Sequence, residues 1–311
     1  MTSAARTVLP TDLVALVSYD GRVYSNEAMT RDRIGTEGSP HPLEAAFEQW
    51  FSFATGRHTW ISVKGPTLRG LVSARKRGSK LAWEVDCLIN AAADDSNGVL
   101  MGLLDQMTQA AGRSGALRIF LRLPRDSATE RAAQRCSFVP YLRERVYRRP
   151  VDASALPSLP AGLRRRAKSD GYPLFQLYNA VTPEQVRRFE GGTLTEWSAV
   201  QEHLGRATQY VLEGEGRVRG WLRVASDGDI GRFDVVAEAE ALDPVIDAAM
   251  VKLAGRAWNY ALVPEHEGAL RLRLEERGFE AEEEYVVLAR RTVHTVKAPK
   301  AVPVLAHPTL G

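Results

Sequence analysis

Apolar and polar residues in this chain follow two periods, and the order in which the periods alternate sets out its plan. Period-two alternation predicts strands over TWISV (59–63), LRGLVSARK (68–76) and LAWEVDCLI (81–89), with residues 76–79 as a hairpin turn. Ahead of them Leu43, Ala46, Phe47, Trp50 and Phe51 fall at helical spacing behind Pro42, so 42–54 is predicted helical. A helix over about 98–111 follows, then the strand ALRIFLRLP (116–124). Residues 20–42 are rich in Gly, Ser, Pro and charge and read as loop.

The same order returns later. LRRRA (163–167) is a short strand, and Ser169 or Asp170 can cap a helix through Tyr178. Thr182-Pro183-Glu184 is a second helix start, and 195–204 a further helix. Strands follow at 208–214, 217–225 and 229–237, punctuated by Glu215-Gly216 and Asp227-Gly228. Asp243-Pro244 then starts a helix running to about Trp258. Each half closes on a similar passage, 116–149 and 257–291: strand, proline, charged helix, a small residue with Phe, final strand. Phe138 to Tyr147 and Phe279 to Leu288 are equally spaced, while the proline-to-Phe spans differ by one residue. A repeat of this size implies two copies of one unit: 1–150 and 163–291, joined by a linker at 151–162 and followed by a tail at 292–311. Pro150, Pro157 and Pro160 make that seam semi-rigid.

The closing passage resembles the C-terminal half of the GNAT superfamily, the acyl-CoA-dependent N-acyltransferases. LRLEERGFEAEEEYVVL (272–288) matches that ending closely; RAAQRCSFVPYLRERVY (131–147) matches it with Ser137 where glycine is usual. The resemblance implies an α/β fold of tandem GNAT-like domains, each a mixed, mostly antiparallel sheet flanked by helices. It also implies an acetyl or other acyl group moved from acyl-CoA to a small-molecule amine.

The resemblance places the coenzyme in the first half. Its arm lies along Leu88, Ile89 and Asn90, and its pyrophosphate near Asn97 and Gly98, where glycine lets backbone amides approach phosphate. Asp94 and Asp95 stand beside that loop, where they oppose a phosphate or cap the helix. The matching loop of the second half, 237–250, has no glycine, and Pro244 removes an amide donor. The family's tyrosine acid is replaced by Ala133 and Leu274. Glu84 and Asp86, at alternate positions of one strand, share a face. Either is a candidate general base if burial raises its pKa, while a solvated strand face or an inter-domain contact is the plainer reading of both. The eroded motifs leave a second reading open, a non-catalytic module that binds a small ligand or serves assembly.

Composition narrows the remainder. With 44% hydrophobic and 25% charged residues the chain is ordinary globular material, and a net charge of +3 gives no reason to expect nucleic acid. Two cysteines, Cys87 and Cys136, form neither a disulfide framework nor a metal signature, so no metal is expected. No apolar run is long enough to span a membrane and no signal-like start is present; the expected compartment is the cytoplasm.

Overall fold

A computed structural model of the chain describes residues 5–7, 25–36, 57–64, 67–91, 96–151 and 156–292. The predicted helix at 42–54, the aspartates 94 and 95, and the tail beyond Thr292 lie outside the described residues.

The first half comprises β1 (Arg6–Thr7), β2 (His58–Lys64), β3 (Thr67–Lys76), β4 (Ala82–Asn90), α1 (Ser96–Arg113), β5 (Arg118–Pro124), α2 (Ala128–Arg135) and β6 (Val139–Pro150). The second comprises β7 (Leu163–Arg165), α3 (Gly171–Val181), α4 (Glu184–Glu190), α5 (Leu194–Val200), β8 (Thr208–Gly214), β9 (Arg217–Asp227) and β10 (Ile230–Ala237). It continues through α6 (Leu242–Lys252), β11 (Trp258–Pro264), α7 (Gly268–Glu276) and β12 (Glu280–Arg291). The predicted strands recur within a residue or two. Two helices are shorter than their sequence patterns: α5 stops at Val200, and α6 stops at Lys252, where Trp258 instead opens β11.

All twelve strands join one mixed sheet in the order β1-β2-β3-β4-β5-β12-β6-β11-β10-β9-β8-β7. The two halves read inward from opposite edges, and each donates its last strand to the other. β6 of the first half lies between β12 and β11, and β12 of the second lies against β5. The pairs β4/β5 and β10/β11 are parallel; the others are antiparallel.

Separate cores cover the halves. Leu100, Leu103, Leu104 and Met107 of α1 pack with Val72, Trp83, Val85 and Leu88. Val245, Ile246, Ala248 and Ala249 of α6 pack with Leu222, Phe233 and Ala261. Phe138 and Phe279 are buried plugs at equivalent places. The residue before each has a left-handed backbone, φ +62° at Ser137 and +78° at Gly278, so one geometry is built once with strain and once without.

The β3–β4 hairpin ties the halves together. A Cβ at Gly78 would lie 2.2 Å from the Ser198 carbonyl oxygen of α5, so only glycine permits this approach. Beside it, Ser79 N donates to the Ala199 carbonyl and Arg77 Nη1 to that of Val200, at 3.3 and 3.2 Å.

Candidate functional site

Parallel strands that share only a short ladder splay apart beyond it, and the sheet contains two such splays. β4 and β5 pair only over Ala82–Glu84 with Arg118–Phe120; β10 and β11 pair only over Ile230–Phe233 with Trp258–Ala261. The two gaps differ in what occupies them.

In the first gap runs the chain's own segment 25–30. Glu27 N donates to the Leu88 carbonyl at 2.9 Å, and Met29 N to the Arg122 carbonyl at 3.0 Å, so the segment bridges β4 and β5. Asn26 fastens it: Oδ1 accepts from Leu88 N (2.8 Å) and Ala28 N (2.9 Å), and Nδ2 donates to the Asp86 carbonyl (3.0 Å). Ala28 and Thr30 are buried there, small enough to lie between the strands. Both backbone groups of Leu88 are therefore occupied by this segment. Ile89 and Asn90 pair with Leu71 and Gly70 on the far side. Gly98 is exposed in the first turn of α1, which also contains Asn97.

The acids of β4 are engaged as well. Glu84, 3% exposed, receives Arg75 Nε at 2.6 Å and Arg77 Nε at 3.3 Å. Asp86 receives Arg57 Nε at 2.7 Å. Neither lines the open cleft of the second half.

That second cleft has a cavity of about 120 Å³ where β10 and β11 separate. Val235 and Val236 of β10 and Leu262 and Pro264 of β11 form two sides; Tyr178, Val186, Glu190, Trp197 and Val200, from α3, α4 and α5, form another. Its wall carries five carboxylates (Glu144, Glu190, Glu202, Asp234, Glu267) against three guanidiniums (Arg31, Arg77, Arg223).

Most of these charges are mutually satisfied. Arg31, inserted from the segment that fills the first gap, reaches Glu144 (2.7 Å), Asp234 (2.6 Å) and Glu202 (3.3 Å). Arg122 binds Glu144 and Glu202, both at 2.8 Å; Arg77 binds Glu202 at 3.2 Å; Arg223 binds Asp234 at 2.7 Å. Burial opposes ionisation of Glu202, yet Arg122, Arg77 and Arg31 together hold its carboxyl well below the usual range. Glu190 is different. It accepts from the phenols of Tyr178 (2.8 Å) and Tyr141 (3.1 Å), and burial raises its pKa. Glu267 is raised to about 7 by burial. Among the described residues no group of three or more His, Cys, Asp or Glu is arranged to hold a metal. No helix among them is long and apolar enough to cross a membrane.

The sequence reading missed Arg31, Glu144, Glu190, Glu202 and Glu267. For the first four no local signal existed, because the network joins positions far apart in the chain. For Glu267 one did exist. Aligning the prolines of the repeat sets it opposite Ser127, the N-cap of α2, whose Oγ accepts from Glu130 N at 3.1 Å. Glu267 holds the same place before α7 and makes no cap bond.

No protein-family model and no curated protein matches the sequence at a significant level. Solved structures do match. A GCN5-related N-acetyltransferase from Sphaerobacter thermophilus aligns over 94% of this chain and 97% of its own, at 14% identity and TM-score 0.51. Saccharomyces cerevisiae N-myristoyltransferase with bound myristoyl-CoA and inhibitors aligns over 94% of this chain and 82% of its own, at 15% identity and TM-score 0.50.

Proposed function

We propose, from a mixed sheet flanked by helices that has the fold of GNAT-type N-acyltransferases, that the chain transfers an acyl group from acyl-CoA to a small amine, and that the transfer takes place in the second half. The carrying observation is the contrast between the two splays: residues 25–30 fill the first, and the second opens into an acid-lined cleft.

An extended coenzyme arm suits the open splay. Beyond Phe233 the edge of β10 that faces β11 has no ladder partner, so its backbone groups are available as an antiparallel template. The phosphate end fits less conventionally. The β10–α6 connection carries Glu238 and Glu240 and no glycine, which opposes phosphate. Arg217 and Arg219 cover Glu238, however, with Arg219 Nε at 2.9 Å, and Arg217 is more than half exposed. We assign the phosphates to these guanidiniums in place of a glycine loop. Excess carboxylate along the cleft favours a cationic acceptor over an anionic one.

Calorimetric titration with acetyl-CoA tests the placement. Val236→Trp, filling the second cleft, is expected to abolish binding, whereas Gly98→Ala leaves it unchanged. Loss of binding in Gly98→Ala with retention in Val236→Trp returns the coenzyme to the first half, along Leu88, Ile89 and Asn90. Binding without thiol release across a panel of amines supports the ligand-binding reading instead.

A further inference from the structure

Four carboxylates of the second cleft have strong donors from the protein itself. Glu144, Glu202 and Asp234 bind guanidiniums, and Glu190 binds two phenols. Glu267 has none. Its nearest ionisable neighbour is His266 Nε2 at 3.7 Å, and burial lowers that imidazole's pKa, so at pH 7 the contact is not an ion pair. Its side chain is only 19% exposed. A carboxylate that is mostly removed from water and has no donor costs free energy in its ionised form, and a cationic partner supplied from outside the chain would offset that cost.

The repeat sharpens this. In the first copy the equivalent position holds serine and caps its helix. In the second copy glutamate replaces it, and the start of α7 has no side-chain cap. The carboxylate instead lines the cleft at the end of β11, next to Pro264, where the splay opens. The guanidiniums of the cavity, Arg31, Arg77 and Arg223, are engaged with Glu144, Glu202 and Asp234. The rest of the lining is mainly apolar, Val186, Val236, Leu262 and the rings of Trp197 and Trp221, with the neutral polar groups of Thr182, Gln201 and the unpaired Trp197 indole N–H among them.

We propose that Glu267 binds the ammonium group of a compact primary amine with an apolar body and takes its proton; only the second step rests on the acyl-transfer reading. One proton passes from the ammonium to the Glu267 carboxylate. The freed lone pair attacks the thioester carbonyl carbon, the C–N bond forms and the C–S bond breaks. The surplus proton on the new amide nitrogen goes to the departing thiolate, and Glu267 returns its own proton to water. Amine and acyl-CoA thus give amide and free thiol. Glu267 begins to ionise near neutrality, where a base both accepts and returns a proton readily.

The test uses the full chain with butylamine and 2-phenylethylamine as probes, in wild type, Glu267→Gln, Glu267→Asp and the control Glu265→Gln. Calorimetry is expected to show at least tenfold weaker amine binding in Glu267→Gln. Binding in Glu267→Asp stays within a few-fold of wild type, and Glu265→Gln is unchanged. Carbon-detected NMR is expected to show the Glu267 carboxyl titrating at lower pH once amine is added. With acetyl-CoA, thiol release rises with pH through about 7 and falls by roughly 10²–10⁴-fold in Glu267→Gln. Amine binding that is absent in wild type, or equal in wild type and Glu267→Gln, overturns the ammonium site. Glu267-dependent amine binding with no thiol release upholds the site and defeats the acyl-transfer reading alone.

Discussion

At the scale of single residues, a group kept for a ligand should burden the empty protein. Glu267 ionises near pH 7 in the fold, against an ordinary glutamate value of 4.5. Between those two pH values the folded chain holds a proton that the unfolded chain has released, so stability falls as pH rises through this window and levels off above it. The full loss is on the order of 3 kcal/mol. Glu267→Gln lacks this term. Its stability relative to wild type, measured by urea unfolding, is therefore expected to improve steadily from pH 4 to pH 7 and to stay constant beyond. A difference independent of pH would mean that the carboxyl is solvated and that burial is not what shifts it. Glu84 and Asp86 show the opposite case. Their alternation on β4 was legible in the sequence, but their guanidinium partners are not local; Arg57 and Arg77 come from outside β4.

At the scale of elements, strands and helices were legible because their periods are local. Residues 25–36 were not. This segment has few apolar positions and is held by side-chain-to-backbone bonds and by the burial of small residues, neither of which leaves a period in the sequence. Asn26 carries much of that hold. Replacing it with alanine leaves the Leu88 N–H and the Asp86 carbonyl without their partner, and Leu88 is fully buried. Leaving such groups unpaired costs about 1–3 kcal/mol each. Asn26→Ala is therefore expected to lower the urea midpoint by the equivalent of about 2–4 kcal/mol. Because the same segment carries Arg31 into the second cleft, the substitution should also loosen that site, read as weaker acetyl-CoA binding. A stability loss below about 0.5 kcal/mol would show that the segment does not depend on Asn26.

At the scale of the whole molecule, the repeat implied two similar units and carried no information on how they join. The closing strands β6 and β12 carry similar alternating patterns, and nothing local distinguishes pairing within a half from pairing across halves. In the structure each crosses over. β5 has β12 as its outer neighbour, and β6 has β12 and β11 on its two edges. Charge is arranged to match: Glu144 on β6 answers Arg31 and Arg122 of its own half inside a network that includes Glu202 and Asp234 of the other. A cut between residues 155 and 156 would thus strip β5 of its outer neighbour and leave β6 with neither of its partners. Fragments 1–155 and 156–311 expressed apart are expected to aggregate or to form strand-exchanged dimers, since exposed strand edges seek a pair. Expressed together, they should form a 1:1 complex by light scattering, and the intact chain should unfold in one cooperative transition. Two stable monomers that ignore each other on mixing would show that each half can take back its own last strand, and that the exchange is not required for folding.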